Sequence, residues 1–275
     1  MAITLKNVTL ERSSHVILRD ASFQFSDNKW TAIVGENGAG KSTLLQAIQQ
    51  FIPIQQGHIH IDGKIGFLFQ HADQQFFEST VEKELRFAPR HFGWSREKTD
   101  AKIAEVLNLV QLDASILPML PYQLSGGQKK RLALALVFMM EPTILLADEP
   151  TAGLDPVQRA LVLSILKKWQ QQGHTIIAIT HELTDVLTFA DDVLLMAKDK
   201  APQLFETEQF FFEVPKRKGV YFPPPIAMFH LIEQRLQSPL PRARSMPALI
   251  QIMKEAIPNG TSYSICSTHV HSTSS

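Results

Sequence analysis

Cysteine is nearly missing from this chain: Cys266 stands alone among 275 residues, which excludes an internal disulfide framework. An excess of either charge is missing as well. The 27 Lys and Arg balance 27 Asp and Glu, so there is no basic footprint of the kind a nucleic-acid partner requires. No apolar run approaches the roughly 20 residues that a membrane-spanning helix needs. The opening MAITLKNVTL lacks the apolar block of a signal peptide, and no internal repeat is visible. These absences predict a cytosolic globular chain with one large domain, or one domain and a small appendage.

What the sequence does contain is an alternation of short apolar runs with helix-period segments, the mark of an α/β fold. WTAIVG reads as a strand that enters a glycine loop, and STLLQAIQQFI as a helix with Leu44, Leu45, Ile48, Phe51 and Ile52 on one face. GHIHIDGKIGFLFQ reads as a hairpin-like section. SREKTDAKIAEVLNLV reads as an amphipathic helix capped by Ser95, with Ile103, Val106, Leu107 and Val110 inward. TILLAD and TIIAIT read as buried strands of a parallel sheet. Phe210–Phe212 read as a local core contact. Pro223–Pro225 form a stiff break before two short helical segments, 226–236 and 247–257, and the serine-rich end reads as disordered.

Two glycine clusters carry the chemistry. Gly35-Glu36-Asn37-Gly38-Ala39-Gly40-Lys41-Ser42, with Thr43 next, fits G-x-x-x-x-G-K-[ST] between a strand and a helix. In such a loop, backbone N–H groups and a helix N-terminus converge on phosphate oxygens. Lys41 would reach the β- and γ-phosphates, and the Ser42 hydroxyl would face Mg²⁺. The second cluster, Ser125-Gly126-Gly127-Gln128, also opens a helix with a hydroxyl residue suited to the N-cap. On its own it is equally compatible with a capped helix and nothing more.

With these two clusters, the chain resembles an ABC-type ATPase over roughly residues 1–205. The motifs follow one another in the family's order: the phosphate loop at 35–42, Gln70, the signature Leu124–Gln128, the run ILLADE ending at Asp148 and Glu149, Asp155, and His181. The resemblance implies a P-loop NTPase with a helical signature subdomain at about 72–140, binding ATP and Mg²⁺. It implies Glu149 as general base, Ser42, Gln70 and Asp148 around Mg²⁺, and His181 near the γ-phosphate. It also implies a head-to-tail dimer, homomeric or with a related ATPase. There Ser125, Gly126, Gly127, Gln128 and Asp155 serve the ATP bound by the other subunit.

Within that family, FLFQHADQQFFESTVEKELRF at 67–87 resembles the stretch after the glutamine in energy-coupling factor (ECF) importer ATPases, including the cobalt and nickel type. Ala72 replaces the usual proline, and Glu84-Leu85 stands for acid-Val. The segment after Pro225 resembles the small C-terminal helical part of those subunits. The resemblance implies a peripheral subunit on the cytoplasmic face of the membrane, powering import of a vitamin or transition-metal ion. Its integral membrane partner would dock on the surface beside Gln70. It further implies a dimerisation extension at 206–257 before a disordered tail at 258–275. An ATPase of a conventional importer or exporter remains the alternative, and a soluble ABC ATPase unrelated to transport a more distant one.

Other features also depart from the pattern. The span from Lys41 to Gln70 is short, Ala147 stands where the family favours leucine, and Arg12 aligns with an adenine-stacking aromatic. A guanidinium can stack on a base, so Arg12 is retained as a candidate for the nucleotide. His58 with His60, and His269 with His271, are weak candidates for a metal. The basic runs at 128–131 and 216–218 read as a helical first turn and a solvated loop.

Overall fold

In the computed structural model, the described residues are 1–12, 15–71, 75–213, 222–236, 241–242 and 245–256. The chain divides into two compact units, Met1–Tyr221 and Phe222–Ser275.

The first unit is built on two sheets. β1 (Ile3–Arg12), β2 (His15–Phe25) and β4 (Gln56–Ile61) form an antiparallel sheet in the order β2-β1-β4. The second sheet has the order β5-β6-β7-β3-β8-β9 and comprises β3 (Trp30–Gly35), β5 (Ile65–Leu68), β6 (Ile144–Asp148), β7 (Thr175–Ile179), β8 (Asp192–Met196) and β9 (Gln203–Glu206). Its first five strands run parallel and β9 runs antiparallel. Every residue of β7 and β8 is buried, and β3 is buried up to Val34, as expected when a parallel sheet is covered on both faces. TILLAD and TIIAIT are thus central strands, as their composition predicts.

Helices α1 (Lys41–Ile48), α2 (Val81–His91), α3 (Arg96–Leu109), α4 (Gly126–Met139), α5 (Pro156–Gln171), α6 (Leu183–Phe189) and α7 (Thr207–Phe212) complete this unit. Ser95 caps α3 by accepting from the Lys98 N–H, and Ile103, Val106, Leu107 and Val110 are buried. α4 is apolar on nearly all sides after its first turn, and Leu132, Ala133, Leu134 and Ala135 have no exposure. Such a helix belongs in an interior rather than on a surface. It packs on α2, α3, α5 and β5.

Two readings of the sequence need correction. The GHIHIDGKIGFLFQ segment is not a hairpin: β4 pairs with β1, whereas β5 pairs in parallel with β6. The chain passes from one sheet to the other at Gly63, whose φ is 144° and where a Cβ would lie 2.4 Å from Thr143 Oγ1. Thr143 and Lys64 then exchange hydrogen bonds, which starts the β5–β6 ladder instead of a turn back to β4. Nor does the α1 face include Phe51 or Ile52, although Ile52 still packs against the core. The helix ends at Ile48, Gln50 takes a positive φ, and Phe51 is 58% exposed. Pro53 comes two residues later and disfavours helical backbone at Ile52 before it.

Phe210 and Phe211 are buried in α7, which packs on α6, β8 and β9. The second unit contains α8 (Pro224–Leu236) and α9 (Met246–Ala256), packed together, with Ile226, Phe229 and Leu249 buried. The predicted helices at 226–236 and 247–257 correspond to these two. The basic run at 216–218, the tail at 258–275 and Ala72 lie outside the described residues.

Candidate nucleotide site

β3 leads into the glycine loop, and the packing there dictates residue type. A Cβ on Gly35 would sit 1.8 Å from the Met196 carbonyl oxygen, and one on Gly40 would sit 2.0 Å from Ile17 Cγ2. Both glycines have φ in the region that favours glycine, 143° and 89°. Gly40 is the N-cap of α1 and supplies no side-chain cap. The first N–H groups of this helix are therefore left to an anion, which the helix dipole favours at that end. Ala39 is buried behind the loop, and Glu36 accepts from the Ala39 N–H through its carbonyl.

Lys41 donates from Nζ to the carbonyls of Gly35 and Glu36, both at 2.9 Å. Burial lowers its pKa, while Glu149 and Asp148 act to raise it. The ammonium is thus held on the loop by weak neutral acceptors, and a phosphate would replace those acceptors with full negative charge. At the C-terminal edge of β6, burial pushes the Asp148 carboxyl above its ordinary value, against a hydrogen bond from Ser42 that pulls it down.

Glu149 follows with a φ of 48°, a strained conformation for a residue with a side chain, costing on the order of 1–3 kcal/mol. Its N–H donates to the Ile179 carbonyl, tying it to the end of β7. Its carboxylate accepts from Gln70 Nε2 at 2.8 Å and lies 3.1 Å from His181 Nε2. Three loops, after β5, β6 and β7, thereby bring Gln70, Glu149 and His181 to one point. Asn37, Gly38, Ser42 and Thr43 line the same cleft, of about 520 Å³.

Arg12 is on the rim of this cleft, where Nη1 donates to Thr43 Oγ1 at 3.2 Å and to Gln46 Oε1 at 3.1 Å. Ile17 lines the cleft beside Gly40 and was not anticipated. Nothing in the alternation of HVILRD marks it apart from its neighbours. Lys130 was likewise missed. It is buried and donates to the Gln70 carbonyl at 2.7 Å, so it fixes the backbone of the glutamine loop. A basic run at the start of a helix gave no sign of this.

The second glycine cluster does not line the cleft. Ser125 caps α4 by accepting from the Gln128 N–H, and Gln128 Oε1 accepts in return from the Ser125 N–H at 2.9 Å, a capping box. Gly126 faces open space, while Gly127 is pressed against Gln158. Asp155 caps α5 by accepting from the Val157 and Gln158 N–H groups. Within one chain, then, these residues stand apart from Lys41 and Ser42.

Comparison with known proteins gives the family. The ABC transporter family profile matches residues 18–152. An energy-coupling factor transporter ATP-binding protein of Oenococcus oeni is 34% identical over 77% of this chain and 81% of its own length. One from Streptococcus pneumoniae is 37% identical over 73% and 80%. Among solved structures, cbiO1 from Clostridium perfringens, part of the ABC transporter complex cbiONQ, superposes with a TM-score of 0.73 at 26% identity, covering 86% of this chain and 96% of that one. A dimeric ATP-binding cassette bound to ADP and Pi superposes with a TM-score of 0.64 at 25% identity, covering 74% and 98%. The chain is an ABC ATPase, and it belongs to the family of energy-coupling factor transporter ATP-binding proteins.

Proposed function

We propose that this chain is the ATP-hydrolysing subunit of an ECF-type importer for a vitamin or a transition-metal ion, working on the cytoplasmic face of a membrane. The observation that carries the reading is the meeting of Gln70 and His181 on the Glu149 carboxylate, in the cleft that also holds Lys41 and Ser42. Glu149 accepts the proton of the attacking water as its oxygen bonds to the γ-phosphorus and ADP leaves. His181 and Lys41 hold the γ-phosphate in line, which is most of what phosphoryl transfer asks of a protein. The donor set suits a hard cation: Ser42 and Asp148 offer hydrogen-bonded oxygens, and burial disfavours the charged Asp148 carboxylate, which a cation facing it would offset. Ser42, Asp148 and the Gln70 amide oxygen would hold Mg²⁺, which supplies charge neutralisation at the phosphates when bound.

Ser125, Gly126, Gly127, Gln128 and Asp155 complete the site of a second subunit, in a head-to-tail dimer of two copies or of this chain with a related ATPase. Their separation from the phosphate loop within one chain supports this reading. α8 and α9 strengthen the pairing, and exposed Met228, Leu231 and Ile250 supply apolar surface for it. Among the described residues no helix is long and apolar enough to cross a membrane. The work of hydrolysis goes to a separate integral protein.

That protein docks in the apolar groove beside Gln70. The groove holds about 570 Å³ between β5, α2 and α4 and is lined by Phe67, Phe69, Phe77, Phe87 and Met140. Gln75 also lines it, with a buried Nε2 that has no hydrogen-bond partner. Buried Glu84 accepts from the Phe77 and Glu78 N–H groups, which fixes the loop that carries Phe77. Burial pushes its carboxyl up, against those two hydrogen bonds. The test is purification of the chain from native membranes with identification of the bound integral protein, followed by substrate uptake into vesicles. ATP-dependent uptake of a vitamin or metal ion supports the proposal, and association with a conventional importer or exporter overturns it.

A further inference from the structure

The histidine that meets Glu149 is held by a device outside the nucleotide cleft. His181 lies on the short loop between β7 and α6, and the two carboxylates flanking the start of α6 are turned away from that helix. Glu182 is the α6 N-cap but makes no side-chain cap. Instead its carboxylate lies 3.1 Å from Arg159 Nη2. Asp185, in the first turn of α6, lies 2.9 Å from Arg159 Nη2 and accepts from Arg159 Nε at 3.0 Å. One guanidinium therefore grips the residue after His181 and the helix that follows. The planar fork of arginine suits this geometry, and a lysine could not reproduce it.

Arg159 belongs to the first turn of α5, whose N–H donates to the carbonyl of Asp155. Its neighbour Gln158 faces the other way, onto α4. A Cβ added to Gly127 would lie 2.2 Å from Gln158 Oε1, and that oxygen is buried without a hydrogen-bond partner. The same turn of α5 thus touches the start of the signature helix through Gln158 and holds the histidine loop through Arg159. Partly exposed ion pairs contribute little to stability, so position is the better account of this clamp.

We infer that Arg159 is a positioning residue for hydrolysis: by holding Glu182 and Asp185 it sets His181 against Glu149, and through Gln158 it links that setting to the place of the signature helix. The inference rests on the reading of His181 as a γ-phosphate contact and of Gly127 as part of the partner's site.

The test is steady-state and single-turnover ATP hydrolysis by the full chain in its assembled complex. Arg159→Gln should lower kcat about tenfold with the KM for ATP held within about twofold, and Arg159→Lys should lower kcat about threefold. In a His181→Ala background, Arg159→Gln should change the residual single-turnover rate by less than about twofold, because the residue through which it acts is gone. An unchanged kcat in Arg159→Gln overturns the inference. So does an equal fall in both backgrounds, the result of a merely structural role. If Arg159→Gln does not fold, Asp185→Asn, which loses one arm of the clamp, is carried through the same cycle and judged the same way. Unimpaired hydrolysis by His181→Ala overturns the site reading itself, and the inference with it. Impaired His181→Ala beside normal Arg159→Gln overturns the inference alone.

Discussion

Two clefts of similar size, about 520 and 570 Å³, are both reached from the Phe69–Gln70 segment and share almost no chemistry. The glutamine amide donates to Glu149 in the first, while its neighbour Phe69 lines the second. The nucleotide cleft is charged, built from the first turn of α1 with the loops after β3, β6 and β7, and tightly bonded within itself. The groove is aromatic, built from α2, α4 and β5, and leaves Phe77 66% exposed. One has its donors and acceptors already set and the other leaves apolar area uncovered, so the first should fail by loss of chemistry and the second by loss of a partner.

The sharpest way to separate them is Glu149→Gln. This change keeps the hydrogen-bonding shape but removes proton acceptance, and hydrolysis should fall by about 10²-fold or more. ATP binding and attachment to the membrane partner should persist, as read by calorimetric titration and co-purification. Lys41→Ala should come next. Loss of the ammonium now held on Gly35 and Glu36 should weaken ATP binding by about tenfold or more, again without effect on membrane attachment.

Phe77→Ser should do the reverse. Desolvating a phenylalanine is worth roughly 1.5–3 kcal/mol. Part of the Phe77 ring already packs edge-on against Phe87, so a loss of about tenfold in membrane-partner affinity is expected. ATP affinity of the isolated chain should not move, and a comparable loss there would merge the two clefts into one unit.

The smallest effect is on stability. The folded Asp148 carboxyl is raised above its ordinary value of 3.8 by burial. A raised acid favours the folded state at low pH, and that contribution is lost as pH rises from 3.8 through the folded value. Asp148→Asn should therefore raise the melting temperature of the nucleotide-free chain at neutral pH. No gain should appear at pH values below that window. A lower melting temperature at neutral pH would contradict the sign.

Contiguous features of the sequence were legible and dispersed ones were not. The loop from Gly35 to Ser42, the Ser95 cap of α3 and the apolar runs of β6 and β7 announce themselves within a few residues. Resemblance put Gln70, Glu149 and His181 at one nucleotide site, but neither it nor any spacing in the chain implied that Gln70 and His181 meet on the Glu149 carboxylate. β4 and β5 read as one hairpin because a glycine between two strands looks alike whether the chain turns back or crosses to another sheet. Arg131 shows the same limit: it sits among basic residues in sequence, yet its guanidinium is buried and donates to the Val110 and Gln111 carbonyls at the end of α3. Arg159 carries no local mark at all. Its partners, Glu182 and Asp185, are supplied by the return of the chain through β7.

The comparison of the two clefts is tested most directly by a cysteine cross-link. With Cys266 replaced by serine, a cysteine is placed at Gln75, which lines the groove, or at exposed Ser79, two residues beyond Phe77, and native membranes containing the intact complex are treated with a short thiol cross-linker. The account predicts a covalent adduct between this chain and its integral membrane partner at one or both positions. No adduct at either position, with the complex demonstrably intact, would contradict it.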